Sequence, residues 1–383
     1  MADIVTVTKR ALQPLNSRRP WVDAGMIERT RGAAHLGAAV RLVGPRGEFL
    51  AWGLWSGEPR FPIRVISWEP DTTLDPSFFH AAAAAAVQRR VGLPLTPETD
   101  AVRLIFGEAD GLPGLVADRY GEYAVLTREG RFLDPYLIAI ASGLTESASL
   151  AGVLLRDDAG NRVLAGVAPP ETLTIREGEL RFEIDPHEGQ KTGWFCDQRQ
   201  NRLRVTAYAG GADVLDVFCY TGGFSVAALR SGASSARLLD SSAAALALAQ
   251  RNLTLNDCPE AATPERCDAM DRLRSLAKEG LSFDLVILDP PKLQPPHGKA
   301  DRAEAAYLSL QGLAMKLVRP GGRLATFSCS GAMSRARFDG VVAKAAGARP
   351  CRVLERLAQP PDHPILLSHP KSEYLTGLIV ELG

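Results

Sequence analysis

Residues 213–224 read DVLDVFCYTGGF, and this stretch decides the fold of the C-terminal half of the chain. A largely apolar, strand-forming segment runs into a short loop with two adjacent glycines, and helix-forming residues follow. Glycine has no Cβ, so such a loop lets a ligand approach the backbone closely. The stretch therefore predicts a strand, a ligand-facing loop and a helix.

The same alternation of strand and helix continues from residue 179 to the C-terminus. Strands are predicted at 214–218, 236–239, 285–288 and 323–327, and helices at 224–231, 243–252 and 301–318. Alternating strands and helices predict an α/β fold with a mostly parallel sheet that helices cover on both faces. Ligands bind such sheets at the carboxyl ends of the strands.

The preceding residues have a different pattern, so we expect three domains at 1–70, 71–178 and 179–383. Residues 1–70 show short β segments separated by turns. Residues 71–178 combine a helix that contains six consecutive alanines with strands and turns, as in a small α+β domain. A chain of 383 residues is also too long for one ordinary core.

Composition excludes several classes of protein. Lysine plus arginine and aspartate plus glutamate both number 44, which argues against a nonspecific nucleic-acid binder. Residues 1–70 carry ten lysines and arginines against six acids, a local excess that fits either a phosphate-facing surface or a solvated face. The six cysteines have no CxxC spacing, so we expect no metal and a reducing cytoplasm. Without a signal peptide or a long apolar run, we expect a soluble protein with no membrane partner.

Acidic residues follow the strands of the C-terminal half. Asp240 ends the strand 236–240, where a carboxylate can accept hydrogen bonds from two ribose hydroxyls, and Asp268 precedes a helix and could meet an adenine amino group. The loop lacks the GxGxxG pattern of dinucleotide sites. A cofactor without phosphates explains these residues better, and S-adenosylmethionine is such a cofactor. The alternative is a structural glycine turn with incidental acids.

Two further segments suggest a reaction. Residues 283–293 read FDLVILDPPKL, so a buried strand delivers Asp289 to the sheet edge before two prolines that stiffen the loop. Residues 321–330 read GGRLATFSCS, which places Cys329 after another strand at the same edge. A thiolate that adds to C6 of cytosine would make C5 nucleophilic, so Cys329 is a candidate for covalent catalysis, although a lone cysteine is more often a small buried residue. Asp289 could contact the same base at N3.

Residues 185–202, DPHEGQKTGWFCDQRQNR, are too polar and glycine-rich for a core element. Lys191, Gln198, Arg199 and Arg202 could reach cofactor or RNA groups, and we also expect an N-capped, solvent-facing helix from about Asp197. His363 is predicted to be a structural loop residue.

Together these segments resemble the bacterial large-subunit (23S) ribosomal RNA cytosine-C5 methyltransferase family. The matching stretches are RLIFGEADGLPGLVADRYG at 103–121, KTGWFCDQRQNR at 191–202, DVFCYTGGFSVAAL at 216–229, ILDPPK at 287–292, SCS at 328–330 and DHP at 362–364. The resemblance implies an N-terminal PUA-type RNA-binding domain, a central α+β domain and a class I (Rossmann-like) methyltransferase domain. It also implies ribosomal RNA as partner and leaves homodimer formation open.

The resemblance assigns residues to three roles. Catalysis would fall to Cys329 and Asp289, and substrate binding to Lys191, Pro291 and Lys292. The cofactor would be bound by Gln198, Arg199, Asp216, Phe218, Cys219, Tyr220, Thr221, Gly222, Gly223, Asp240, Ser241, Asn252, Asp268, Ala269, Asp289 and Pro290.

The sequence departs from the family pattern at three places. Gly331 and Ala332 stand where a histidine pair is usual, Leu293 stands for phenylalanine, and Thr376 stands for lysine. The first and third departures fall near the predicted reaction centre, so they leave the base that removes the C5 proton unassigned.

Three other functions are compatible with the sequence. The chain could methylate a guanine nitrogen (N2 or N7) of RNA without a cysteine nucleophile. It could be an NAD-dependent dehydrogenase, although the missing GxGxxG argues against that class. It could also be a noncatalytic RNA-binding factor in ribosome assembly that retains an inactive methyltransferase domain.

Overall fold

The structure is a computed structural model that describes residues 3–32, 35–95, 98–293, 300–331 and 333–383. The chain divides into two compact units. The first comprises Met1–Ile175, Ile184–Cys196 and Pro361–Ser372, and the second comprises Arg176–Glu183, Asp197–Pro360 and Glu373–Gly383.

The first unit begins with a six-stranded sheet. Its elements are β1 (Asp3–Val7), α1 (Lys9–Asn16), β2 (Trp21–Val22), β3 (Ile27–Arg31), β4 (Ala39–Val43), β5 (Phe49–Trp55) and β6 (Ile63–Ser67), in the strand order β2-β6-β5-β4-β1-β3. Gly47, at φ +82°, closes the turn between β4 and β5 in a conformation that favours glycine. The short β segments and turns predicted for residues 1–70 are confirmed.

A five-stranded sheet and two helices follow in the same unit. The elements are α2 (Pro76–Gln88), β7 (Ala101–Phe106), β8 (Leu115–Tyr120), β9 (Tyr123–Arg128), α3 (Leu137–Ala148), β10 (Gly152–Leu155) and β11 (Arg162–Gly166), in the order β11-β10-β9-β8-β7. Only β9 and β10 pair in parallel among these strands, because α3 connects them as a crossover.

The alanine-rich helix α2 packs closely against α3. Asp75 caps α2 by accepting a hydrogen bond from the backbone N–H of Phe78 at 2.9 Å. Phe79, Ala83 and Ala86 are fully buried. Facing them, Gly143 of α3 lies so near the carbonyl oxygen of His80 that a Cβ there would collide with it. Small residues on both helices thus allow their close approach.

Hydrogen bonds from two buried, ion-paired arginines hold the segment 361–372 within this unit. Arg90 pairs with both carboxylate oxygens of Asp110 at 2.6 and 2.7 Å, and it also donates to the backbone oxygen of Asp362 at 3.0 Å. Arg103 forms the same kind of bidentate ion pair with Asp118, and its backbone N–H donates to the Asp362 carboxylate. All five residues are at most 7% exposed, so removal of one partner would leave a buried charge unpaired.

The second unit contains a seven-stranded sheet. A hairpin of β12 (Leu173–Glu177) and β13 (Leu180–Ile184) leads into α4 (Arg199–Thr206), β14 (Asp213–Val217), α5 (Gly223–Arg230), β15 (Ser235–Asp240), α6 (Ala243–Leu255), β16 (Ala262–Arg266), α7 (Ala269–Lys278), β17 (Phe283–Leu288), α8 (Ala300–Lys316), β18 (Val318–Ser328), α9 (Arg335–Ala346), β19 (Cys351–Ala358) and β20 (Thr376–Leu382). The strand order is β16-β15-β14-β17-β18-β20-β19.

Strands β16, β15, β14, β17 and β18 are all parallel, and β20 is antiparallel to both of its neighbours. The central strands are apolar on both faces, as a sheet covered by helices on both sides requires. Leu215, Val217, Leu239, Val286 and Leu288 are fully buried. The predicted α/β fold is confirmed, and the carboxyl ends of β14, β15, β17 and β18 meet at one edge.

Among the described helices, none is long and apolar enough to cross a bilayer. The described residues also contain no cluster of histidine, cysteine or acidic side chains arranged to hold a metal ion.

We expect Gly143→Ala to destabilise the protein by about 1–3 kcal/mol, since overpacking between α2 and α3 outweighs the higher helix propensity of alanine. The measurement is urea unfolding of the full chain. Gly312→Ala in α8 is the matched control: a Cβ there meets no atom within 4 Å, so alanine should stabilise by about 0.5–1 kcal/mol. Equal gains from both substitutions would contradict the close packing.

Candidate active site

The loop after β14 has an unusual backbone. Phe218, Tyr220 and Gly222 adopt left-handed φ values of +64°, +50° and +79°. Non-glycine residues in this region are strained and persist where the surroundings hold them, often at functional sites. Here the backbone N–H groups of Phe218 and Cys219 donate to the carbonyl oxygen of Leu239 at 2.9 and 3.1 Å. The end of β15 therefore holds the loop in its strained shape.

Asp240 is the side chain that joins this loop to β15. Its Oδ2 accepts the backbone N–H of Tyr220 at 2.9 Å, and its Oδ1 accepts that of Ser242 at 2.8 Å. The carboxylate is half-buried, and each of its oxygens has a further lone pair for another donor. Ser241, next in the chain, is exposed.

Asn252 and Ala249 of α6 lie behind the loop, at Thr221 and Gly222. Asn252 is fully buried, and its amide nitrogen donates to the backbone oxygen of Thr221 at 3.0 Å while its oxygen accepts the N–H of Glu183 at 2.7 Å. These bonds argue against direct cofactor contact by Asn252 and make it a support of the loop. A Cβ on Gly222 would approach that of Ala249 to 3.2 Å, so α6 leaves little space there.

The third strand end carries Asp268 and Ala269. Asp268 is exposed and caps α7 by accepting the N–H of Asp271 at 3.0 Å, whereas Ala269 is buried. The N–H of Cys267 donates to the backbone oxygen of Asp240 at 3.0 Å, which keeps this turn beside the end of β15.

Asp289 follows β17, and Gln198 orients it. The Gln198 amide nitrogen donates to Asp289 Oδ2 at 2.9 Å, and its amide oxygen accepts from Asn201 at 2.6 Å. Gln198 and Arg199 are both almost fully buried. The segment before α4 therefore belongs to the inside of the site, and the predicted helix from about Asp197 is not a solvent helix. Arg202 is paired with Glu177 at 2.5 and 2.9 Å, which gives it a structural role.

Asp216 adds a third carboxylate beneath the loop. It is 1% exposed, and its Oδ2 accepts a hydrogen bond from the Ser225 hydroxyl at 2.6 Å. Burial first, and then the nearby carboxylates of Asp289 and Asp240, raise the pKa of Asp216 to about 7 against the opposing effect of the Ser225 hydrogen bond. Three carboxylates so close together favour a ligand that carries positive charge.

Two cysteines lie in this region in different environments. Burial raises the pKa of Cys219 well above its ordinary value, and Asp216 and Asp240 add to the effect, so Cys219 stays a thiol. Cys329 is partly exposed and directly follows β18. Because Leu288 of β17 pairs with Thr326 of β18, Asp289 and Cys329 leave the ends of adjacent parallel strands.

Tyr307 of α8 is a residue that the sequence analysis missed. It is fully buried, and its phenol oxygen lies 3.0 Å from the donating hydroxyl of Ser328. Burial first, with contributions from Cys329 and Asp289, raises the pKa of Tyr307 to about 12, so both residues lie within electrostatic reach of the phenol. The sequence feature that could have indicated Tyr307 is that it is the only aromatic residue of α8.

The remaining predicted residues differ in burial and in position along the chain. Pro290 is buried, while Pro291 and Lys292 are exposed just before residues 294–299, which are outside the described residues. Lys191 is exposed and belongs to the first unit. Thr376 starts β20 opposite Ser328, and Ala332 lies outside the described residues.

The residues fit S-adenosylmethionine. The Thr221 hydroxyl is buried in the loop and has no hydrogen-bond partner within the described part of the chain, so the loop can still accept a polar contact. The carboxylates suit a cation, and Asp240 presents two oxygens at the strand end where ribose binds in related sheets.

Comparison with known proteins identifies two domains in the chain. A family model described as S-adenosylmethionine-dependent methyltransferase matches residues 143–372, and a PUA-like domain model matches residues 5–68. The methyltransferase SMU.776, solved as a complex with SAH, superposes over the whole of both chains with a TM-score of 0.89 at 20% identity, a likeness that supports the fold alone.

Two relatives align with nearly the whole length of the chain. Ribosomal RNA large subunit methyltransferase I of Erwinia tasmaniensis is 36% identical and aligns over 94% of both chains, and that of Tolumonas auensis is 34% identical over 99% of both chains. These matches confirm the class I methyltransferase fold, the PUA-like domain and the dependence on S-adenosylmethionine, and they set aside the dehydrogenase alternative. The chain belongs to the S-adenosylmethionine-dependent methyltransferases and, within them, to the ribosomal RNA large subunit methyltransferase I family.

Proposed function

We propose that this chain methylates C5 of a cytosine in large-subunit ribosomal RNA and that Cys329 is the nucleophile. The observation that carries the proposal is the placement of Cys329 and Asp289 at the ends of adjacent parallel strands, beside the loop after β14. The relatives are named for large-subunit ribosomal RNA, and the PUA-like match at residues 5–68 supports an RNA substrate.

The cofactor would be held along three strand ends. When bound, S-adenosylmethionine supplies a methyl group that its sulfonium charge makes electrophilic. Asp240 would accept hydrogen bonds from the ribose hydroxyls, and Asp268 would accept a hydrogen bond from the adenine amino group. The backbone of residues 218–223 would line the cofactor, and the carboxylates of Asp216 and Asp289 would favour its positive charge.

Cys329, as its thiolate, would start the reaction by attack on C6 of the cytosine. The new S–C6 bond would move the C5–C6 electron pair to C5, which would then take up the methyl group and leave S-adenosylhomocysteine as the product of the cofactor. Loss of the C5 proton to a base restores the double bond and expels the cysteine sulfur. Asp289, oriented by Gln198, would share a proton with N3 while charge develops on the ring. Tyr307 would act through its hydrogen bond with Ser328, by fixing the backbone that presents Cys329.

The wider organisation forms part of the same proposal. We retain the domains at 1–70, 71–178 and 179–383, with the first as the RNA-binding module. We also place the reaction in the cytoplasm, where bacterial ribosomal RNA is modified. A homodimer is compatible with the proposal, which does not depend on the oligomeric state.

Replacing the nucleophile is the first test. We expect Cys329→Ala to lower methyl transfer to unmodified ribosomal RNA by at least about a thousandfold, because the covalent route is lost, while the affinity for S-adenosylhomocysteine stays unchanged. Product is measured by mass spectrometry of RNA digests. Cys351→Ala, which changes a partly exposed cysteine of β19, is the control and should retain activity. Full activity of Cys329→Ala would instead favour methylation of a guanine nitrogen.

Asp240→Asn tests the cofactor site. Loss of the charged acceptor should weaken binding of S-adenosylmethionine by about 10- to 100-fold, the value of a charge-assisted hydrogen bond. Isothermal titration calorimetry measures the affinity. Asp257→Asn, at an exposed position after α6, should bind the cofactor like the wild type. Equal affinities of the two variants would remove Asp240 from the site.

Asp216 gives a prediction about pH. Since its pKa rises from 3.8 unfolded to about 7 folded, the folded state binds one more proton between these values. Its contribution to stability is therefore complete below pH 3.8 and is lost as pH rises towards 7, at about 1.4 kcal/mol per pH unit. Asp216→Asn should remove this slope from urea unfolding measured between about pH 4.5 and 6.5. A variant with the wild-type slope would show that Asp216 titrates normally.

A further inference from the structure

The first unit contains a cavity that the reaction described above does not use. Its volume is about 580 Å³, within the range of roughly 300–1,000 Å³ typical of ligand sites. The cavity lies at the carboxyl ends of β9 and β10, where Arg128 ends β9 and Arg156 follows β10. Since β9 and β10 are parallel and α3 connects them, this is the edge at which α/β units bind ligands.

Four cationic side chains line the cavity against two aspartates, Asp157 and Asp158. Arg128 is largely neutralised, because it pairs with Asp134 at 3.0 Å and Asp157 at 2.7 Å and its side chain is only 8% exposed. It therefore forms part of the wall. Arg131 also pairs with Asp134, but its side chain is 68% exposed and accessible to a ligand.

Arg156 is the most informative residue of the wall. One guanidinium nitrogen, Nη2, donates to the backbone oxygen of Gly189 at 2.7 Å. The other, Nη1, is buried and has no hydrogen-bond partner among the described residues, and no carboxylate there forms an ion pair with Arg156. A desolvated guanidinium donor without an acceptor is costly for the folded state. An anionic ligand in the cavity would supply that acceptor.

A second segment brings a further cation to the cavity. Lys191 is exposed, and its ammonium stands 4.2 Å from the centre of the Phe195 ring, which limits its freedom. His187 anchors this segment: its Nε2 lies 3.0 Å from the backbone oxygen of Pro169, and its backbone oxygen accepts from Asn161 at 3.2 Å. The Phe195 ring thus limits the freedom of the Lys191 ammonium, and the hydrogen bonds of His187 hold the segment that carries it.

We propose that this cavity binds the phosphate backbone of the RNA substrate, with Arg156, Arg131 and Lys191 as ligands of the phosphate oxygens. The inference rests on the proposed function for the identity of the RNA. The exposed guanidinium of Arg131 can bind phosphate in a bidentate manner, Arg156 can donate from Nη1, and the exposed Lys191 adds a point charge. Phosphate contacts position a nucleic acid without reading its sequence, so the cavity would orient the RNA, while the strand ends of the second unit act on the base.

The test measures binding of a labelled, unmodified large-subunit RNA fragment by fluorescence anisotropy across a series of salt concentrations. Arg131→Ala and Lys191→Ala should each weaken binding by about 3- to 10-fold and lower the slope of log affinity against log salt by about 0.7–0.9, the value for one lost phosphate contact. Arg156→Lys keeps the charge but removes the fork, and should weaken binding without changing the slope. The matched control is Arg352→Ala on β19, an arginine 63% exposed and paired with Glu381.

The same variants should raise the KM for RNA and keep kcat and the affinity for S-adenosylhomocysteine. RNA binding and salt slopes equal to those of the wild type would overturn the cavity proposal. Displacement of the RNA by inorganic phosphate at a concentration comparable with that of the RNA would also overturn it, because it would indicate a small phosphorylated ligand. The binding assay needs no methyl transfer. Altered slopes in a chain that methylates no ribosomal RNA would therefore support the cavity and reject the proposed reaction.

Discussion

The hydrogen bonds between the loop after β14 and the end of β15 are the contacts on which the site depends. Asp240 accepts the backbone N–H of Tyr220 and that of Ser242, and Leu239 accepts those of Phe218 and Cys219. Without these acceptors, two non-glycine residues would have no reason to stay in left-handed conformations. One carboxylate thus stabilises the local fold at the strand end where we propose that the cofactor binds.

The residues of the proposed site are supported by neighbouring buried side chains. Gln198 orients Asp289, Asn252 fixes Thr221 from behind, and Tyr307 is hydrogen-bonded with Ser328 beside Cys329. Each of these three supporting side chains is at most 2% exposed. Side chains locked by packing and hydrogen bonds hold a site in one geometry, which catalysis requires because small displacements of reacting atoms are costly.

Electrostatics divides the chain into regions with different preferences, although the formal net charge is zero. The strand ends of the second unit gather Asp216, Asp240 and Asp289, a combination that suits a cationic cofactor. The cavity of the first unit gathers arginines and a lysine, which suit phosphate. Because screening limits the reach of exposed charges to about 10 Å, local clusters of this kind determine binding where whole-chain balance does not.

Sequence alone determined most of the order of strands and helices in 213–330, although it missed the strand β16. It also determined the edge at which Asp240, Asp289 and Cys329 emerge, and the family, because apolar strand patterns and glycine turns are local and their consequences in a parallel sheet are general. It did not reveal that Asn252 faces inward, that Gln198 pairs with Asp289, that Tyr307 reaches the site, or that Arg128, Arg156 and Lys191 line one cavity. Those relations join residues far apart in the chain. Only tertiary packing decides them, since side-chain burial and hydrogen-bond partners depend on which elements become neighbours in the folded molecule.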